Sequence, residues 1–247
     1  MKFNHQIVRY LKGEQFSNGL YVPTAQKEAT IPDRLTLLER IVQNRKIIHL
    51  GCVDHLPLIK TKIQGNTWLH ARLSQCTRRC LGIDINPEGI AYLQTKLGYQ
   101  DVVCMDILED DAAMLKSETW DYMIIGELLE HTDNPVQFLS VIREKYQDYI
   151  NGLVITVPNA FAWANFIGNF RQQECINSDH RYWFTPYTLG KIVTQAGMSV
   201  RHFQFCERFP SKASGRKRRL RNLLTGHNFV LKRYPAFRQV LVMEVEI

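Results

Sequence analysis

An apolar run that stops at a glycine turn, KIIHLGCVDH at Lys46–His55, is followed one helical interval later by a run that stops at a carboxylate, LGID at Leu81–Asp84. This pairing narrows the available folds more than any other feature of the chain. It spells strand, tight turn, helix, strand, acid. In a doubly wound sheet, a carboxylate ending the second strand can accept hydrogen bonds from both hydroxyls of a nucleoside ribose, and a glycine in the first turn lets the cofactor approach the backbone closely. The pattern points to a pocket for a nucleoside-bearing cofactor.

The alternation continues downstream. KIIHL, CLGID, DVVCMD, WDYMIIG and NGLVITVPN read as strands, with PEGIAYLQTKLG as a helix closed by Gly98 and NPVQFLSVIREKYQ as a helix opened by Pro135. Such alternation implies parallel strands joined by crossover helices. QGNT at Gln64–Thr67 divides the first crossover in two, and an acidic linker leads into a helix around Leu108–Ser117. FTPYTLGKIVTQAG reads as a helix, MSVRHFQFC as a strand, and PAFRQVLVMEVEI as the last strand. Upstream, TIPDRLTLLERIVQ forms a helix opened at Pro32 and Asp33, with Leu35, Leu37, Leu38, Ile41 and Val42 on its buried side. His70 and Arg72 read as helix-face residues.

A single domain over 1–247 is expected, with a helical cap at 1–45, a cofactor-binding core at 46–159 and completion of the sheet by 185–247. Segment 160–184 opens with AFAWANFIGNFRQQE and reads either as a lid over the site or as an amphipathic helix on the sheet edge.

At 247 residues and 45% hydrophobic content, the chain can bury one sizeable core. No apolar stretch approaches the roughly 20 residues of a membrane span, and the first residues lack a secretory centre, so a soluble, cytoplasmic protein is expected. Six cysteines without a CxxC pair read as reduced thiols, with no zinc site. The net charge of +7 is concentrated in a basic arm at 211–224, which carries Lys212, Arg216, Lys217, Arg218, Arg219 and Arg221. Such an arm is either a solvated loop or a contact for nucleic acid phosphates, an anionic membrane surface or an anionic substrate.

In their order and spacing, IIHLGCVDH, LGIDINPEGI, DVVCMDILE, WDYMIIGELLEH, GLVITVPN and HRYWFTPYTLGKIVTQAGM resemble class I S-adenosylmethionine-dependent methyltransferases, especially the broad group that includes the ubiquinone-biosynthesis O-methyltransferases. The resemblance covers roughly Lys46–Phe205. It implies a Rossmann-like α/β fold: a doubly wound, seven-stranded sheet, mostly parallel with the last strand antiparallel, and helices on both faces. It also implies that S-adenosyl-L-methionine lies across the strand ends, with Gly51 at its methionine part, Asp84 at the ribose, Ile85 on the adenine, and Asp106 and Ile107 flanking it. Glu127 joins this set beside the cofactor. The first motif carries His49, Val53 and His55 where the family has an acid and further glycines, so the resemblance implies a displaced cofactor or another holder of its amino-acid end, for which Asp54 is the candidate.

Methyl transfer to a hydroxyl requires alignment, exclusion of water and removal of a proton. Glu130 and His131 in GELLEH, and His180 in SDHRYWFTP, are the candidate catalytic groups, and Tyr182 or Trp183 are candidates to line an acceptor cavity. Each has a plain alternative: Glu127 capping a backbone amide, His131 anchoring a turn, and Trp183 with Phe184 packing in the core. Some ubiquinone-pathway relatives resemble this grouping in using Glu, Glu and His for a divalent cation; no metal is assigned here.

The expected activity is methyl transfer to an oxygen of a small molecule, a lipid precursor or a saccharide. The alternatives are an RNA methyltransferase using the basic arm, or a non-catalytic cofactor-binding scaffold. A nicotinamide dehydrogenase would need the GxGxxG spacing that is absent here.

Overall fold

The computed structural model describes residues 1–24, 30–110, 112–208 and 227–247, so the basic arm lies outside the described residues. Seven strands form one sheet in the order β3-β2-β1-β4-β5-β7-β6. They are β1 Lys46–Leu50, β2 Arg79–Asp84, β3 Val102–Cys104, β4 Tyr122–Gly126, β5 Gly152–Pro158, β6 Ser199–Cys206 and β7 Val240–Glu246. The first five pair in parallel, while β7 runs antiparallel to both β5 and β6. The expected sheet, including its reversed last strand, is the one observed. Every residue of β5 is buried, as a central strand covered on both faces requires.

Local signals set the helix ends. Helix α1 spans His5–Lys12 and α2 Arg34–Val42, where the Asp33 carboxylate accepts from Thr36 N. Leu35, Leu37, Leu38 and Val42 of α2 are buried against Ile47, Ile124 and Val154 of the sheet. The first crossover is indeed split, into α3 Ile59–Gln64 and α4 Leu69–Cys76. Asn86 caps α5 Pro87–Leu97, which ends at Gly98 with φ 74°. The acidic stretch yields only a one-turn α6, Ala113–Lys116. Asn134 caps α7 Pro135–Tyr146, and α8 spans Trp163–Phe170. A capping box of Thr185 and Thr188 opens α9 Pro186–Gln195, and α10 covers His227–Arg233. None of these helices is long and apolar enough to cross a membrane.

The larger core lies under α7 and α9 and holds Trp120, Phe184, Phe203 and Phe205. Trp120 is 1% exposed and donates its Nε1–H to the Leu115 carbonyl at 3.1 Å. Truncating a buried aromatic of this kind costs about 3–5 kcal/mol.

One residue departs from its sequence reading. His70 lies on α4, but it faces the core and is fully buried. Its Nδ1 is 3.2 Å from Nδ1 of His49, and the rings of Trp68 and Tyr99 enclose it. A hydrogen bond between two such nitrogens needs one donor and one acceptor, so both rings can be neutral. Burial holds His70 at about 4 and pushes His49 well below the usual imidazole range, with His70 itself adding to the second effect. Arg72 does face outward from α4 and pairs with Glu39.

This pair sets a pH limit on stability. The folded-state values lie below the unfolded value, so the unfolded chain takes up protons first, and stability present above that value is lost as pH falls toward the folded one. His70 alone accounts for a loss of about 3 kcal/mol between roughly pH 6.5 and 4. Chemical denaturation at stepped pH should find a shallower acid-side loss in His70→Leu than in the unaltered protein.

Candidate functional site

Two cavities, each of about 530 Å³, open at the carboxyl ends of the parallel strands and share Gly51, Asp84, Leu128 and His131. Strand ends beside the β1/β4 neighbour relation are where ligands settle in open parallel sheets, because β1 is flanked by β2 on one side and β4 on the other and the crossovers diverge there.

The first cavity is lined by Gly51, Asp84, Ile85, Met105, Asp106 and Ile107, with Phe138 and Asn134 across from them. Gly51 has φ 74°, the left-handed conformation that favours glycine, and a Cβ added to it would stand 3.0 Å from a terminal methyl of Leu128, which would have to give way. Asp84 turns its carboxylate toward this turn: Oδ2 accepts from Val53 N at 2.9 Å and Oδ1 from Asn86 N at 3.0 Å. Burial raises its pKa, while the Val53 and Asn86 amides pull it back down. Ile85 is 71% exposed, an apolar surface facing the cavity with nothing over it. Ile107 is largely in the core, and the exposed Asp106 accepts from Leu108 N at 2.9 Å.

Val53, which stands where the resemblance expects a glycine, lines neither cavity. The side chain is fully buried and packs beneath α5, where a Cβ on Gly89 would stand 2.4 Å from its Cγ1. Its N–H is therefore left facing Asp84. Asp54 lines the second cavity, where its Oδ1 accepts from His55 N and its Oδ2 is paired with Lys62 at 2.5 Å.

The second cavity is lined by Arg34, His49, Trp68, Glu127, His180 and Arg208, among others. Glu127 sits just past β4 with φ 57°, a conformation that non-glycine residues rarely hold outside constrained sites. Its N–H donates to the Thr156 carbonyl at 2.8 Å, and its Oε2 accepts from Arg208 at 2.8 Å, leaving a buried Oε1 with no partner among the described residues. Arg34, the first residue of α2, brings its Nη1 to 3.5 Å from Thr156 Oγ1 and leaves Nε buried without a partner. Arg34 and Arg208 escaped the sequence reading. The signal available for Arg34 was a cation in the first turn of a helix, where the macrodipole disfavours it.

Glu130, His131 and His180 converge. One ligand atom from each lies within 4.8 Å of the others. The turn Leu129–His131 carries the first two, and the chain at 177–182 is stapled to it: Arg181 N donates to the Glu130 carbonyl at 2.9 Å, and Tyr182 Oη donates to the Asp133 carbonyl at 2.7 Å. Glu130 is fully buried, yet neither carboxyl oxygen has a hydrogen-bond partner among the described residues, and His180 Nε2 is 3.9 Å from Oε1. Burial first, and then the Glu127 carboxylate, push Glu130 up to about 8. His131 Nδ1 lies 3.2 Å from the Asp179 carbonyl, which can only accept, so this nitrogen carries the proton and Nε2 keeps a lone pair in the neutral ring. Burial and the neighbouring His131 lower the pKa of His180.

The other candidates have structural partners. Tyr182 packs beside Phe184, which is 1% exposed in the core, and Trp183 donates to Glu174 at 2.9 Å.

Residues 64–145, a third of the chain, match the family model of a methyltransferase domain. No curated protein matches the chain significantly. Among solved structures, the small RNA methyltransferase HEN1 superposes with TM-score 0.54 at 14% identity, covering 92% of this chain and 27% of that one. The magnesium protoporphyrin IX methyltransferase of Synechocystis, solved with bound S-adenosylhomocysteine, gives 0.50 at 13% identity over 85% of this chain and 77% of that one. An S-adenosylmethionine-dependent methyltransferase from Clostridium acetobutylicum gives 0.50 at 8% identity, covering 86% and 87%. These likenesses establish the fold.

A side chain at residue 51 should act on both folding and ligand binding. Gly51→Ala is expected to lose about 1–2 kcal/mol of stability from the left-handed backbone, and calorimetry should find weaker binding of S-adenosylhomocysteine.

Proposed function

We propose that this chain, a class I methyltransferase by its matched domain and its sheet, transfers a methyl group from S-adenosyl-L-methionine to a hydroxyl oxygen of a small molecule, a lipid precursor or a saccharide. The observation that carries the reading is the open cleft at Gly51 and Asp84 adjoining a second cavity with buried acid and imidazole groups. The residues present suit the cofactor: a glycine turn that a Cβ would crowd, a carboxylate at the end of β2, and an uncovered apolar side chain at Ile85. When bound, S-adenosylmethionine supplies a sulfonium methyl group open to in-line displacement.

Each residue then has a task. Asp84 keeps one lone pair on each oxygen beyond its backbone bonds and accepts the ribose hydroxyls. Ile85 and Ile107 cover the adenine, and Asp106 accepts from its exocyclic amine. Glu127 is better placed than Asp54 to receive the cofactor's ammonium, since its Oε1 is buried and unpartnered whereas both Asp54 oxygens are engaged. Arg34 meets the carboxylate at the same end. His180 and His131 carry imidazole lone pairs that can take the acceptor's proton, while Glu130, which keeps its own proton, orients them.

A second reading of the same cluster is favoured by Glu130. A buried carboxyl with two unpartnered oxygens is costly unless something meets it. With His131 and His180 it offers an oxygen and two imidazoles to a divalent cation, which would supply polarisation of the acceptor hydroxyl. The RNA reading rests on the basic stretch at 211–224 and on the likeness to a small RNA methyltransferase, and nothing among the described residues adds to it.

These roles separate in measurement. His180→Gln should lower kcat by about 10²–10⁴ with the affinity for S-adenosylhomocysteine unchanged; an unaltered kcat removes it from the chemistry. Arg34→Gln should weaken S-adenosylhomocysteine about tenfold or more, leaving methylthioadenosine, which lacks the amino-acid end, unaffected. Turnover abolished by a chelator and restored by magnesium or manganese would replace the base reading with the cation reading. If neither S-adenosylmethionine nor its product binds, both fail.

A further inference from the structure

Helix α8 leaves much of its apolar stripe uncovered, with Trp163 and Ile167 half-buried and Phe166 and Phe170 exposed. Its apolar residues Trp163, Phe166, Ile167 and Phe170 fall at one helical stripe, as residues meant for a core would, yet no residue of the helix is buried. On the opposite side, the Asn165 amide faces the protein, with its Nδ2 at 3.3 Å from the Ala160 carbonyl. Phe166 is 42% exposed and Phe170 74%.

The stripe continues beyond the helix. Ring centroids link Phe170 to Phe166 at 5.0 Å, Phe166 to Phe237 at 6.0 Å and Phe237 to Tyr234 at 6.1 Å, forming a chain of aromatic contacts across two segments far apart in sequence. Tyr234 is 50% exposed, and Phe229 on α10 is 72% exposed. Soluble surfaces rarely leave so much contiguous apolar area without a use.

The charge around this face has one sign. Arg171 follows α8, and Arg233 lies 5.0 Å above the Tyr234 ring, with Lys232 beside it. No acidic residue occurs from Ala160 to Gln173 or from His227 to Met243. Outward aromatics rimmed by cations are the composition of elements that lie in the headgroup layer of a membrane, where the rings enter the acyl boundary and the cations meet anionic lipid.

We propose that α8 and the Tyr234–Phe237 turn form a docking face for an anionic lipid bilayer. The face lies at the functional edge of the sheet. α8 follows the carboxyl end of β5, and Asn159 pins its approach to the turn by donating to the Ala236 and Arg238 carbonyls, each at 2.7 Å. Docking there brings the bilayer to the same strand ends that carry the two cavities. A nucleic acid would also be drawn by the charge, but its affinity would rest on phosphates, whereas this face commits its area to apolar rings.

Flotation with phosphatidylcholine vesicles, with and without about a third phosphatidylglycerol, tests the proposal without any methyl transfer, so it succeeds or fails apart from the reading of the active site. The full chain should float with the anionic vesicles. Phe166→Ser with Phe170→Ser should weaken association at least about tenfold, with the melting curve and S-adenosylhomocysteine binding unchanged. Lys232→Gln with Arg233→Gln should weaken it as well. Absence of flotation, flotation indifferent to the two phenylalanines, RNA displacing the vesicles, or a concentration-dependent dimer lost in the phenylalanine variant would each overturn it.

Discussion

The site depends on the bond between the Asp84 carboxylate and the Val53 amide. Half-burying an acid at the end of β2 disfavours its charge, and two backbone N–H groups offset much of that cost. The bond also closes a loop between two strands: Val53 belongs to the turn after β1, Asp84 to β2, and Asn86 to the cap of α5. Fixing that turn forces the Val53 side chain inward under α5, which the absent side chain of Gly89 makes room for. The cleft beside Gly51 stays open because the polar backbone faces it and the bulk lies behind.

Charge organises the neighbouring cavity. Glu127 and Glu130 come from one short turn, and two carboxylates there cannot both ionise cheaply. Arg208 settles the matter by pairing with Glu127, so Glu130, without an ion pair at hydrogen-bonding distance, is the one that holds its proton. His180 and His49 are neutral nearby because burial and a second imidazole both oppose a charge on them. The result is an acid paired with a guanidinium, an acid that holds its proton and neutral imidazoles, all in or beside one cavity, a division of labour that suits acid–base chemistry at neutral pH.

The sheet was readable from the sequence because parallel strands buried on both faces appear as short apolar runs, and caps such as Asn86, Asn134 and Thr185 mark where helices begin. Gly51, Asp84 and the Glu130–His131 pair were readable because they sit at strand ends in order along the chain. What was not readable depends on direction and distance. Nothing in WLHARL says that His70 points inward to meet His49 from another element, since a helix face is set by what it packs against. Val53 stands where the resemblance expects a glycine, and the sequence reports a side chain there without saying that it packs beneath α5. Arg34 and Arg208 meet only after the chain has folded, 174 positions apart in sequence.

Segment 160–184, which the sequence reads either as a lid or as an amphipathic helix on the sheet edge, has two parts with different physics. Residues 177–182 are fastened to the Leu129–His131 turn by backbone and side-chain bonds, so His180 is placed by the same contacts that hold the turn itself. α8 lacks such ties on its aromatic side and is anchored instead through Asn165 and Asn159 on its polar side. A cover for the cavities would turn its rings toward them. α8 leaves Phe166 and Phe170 exposed instead, so the segment places His180 beside the Leu129–His131 turn at one end and presents an apolar surface at the other.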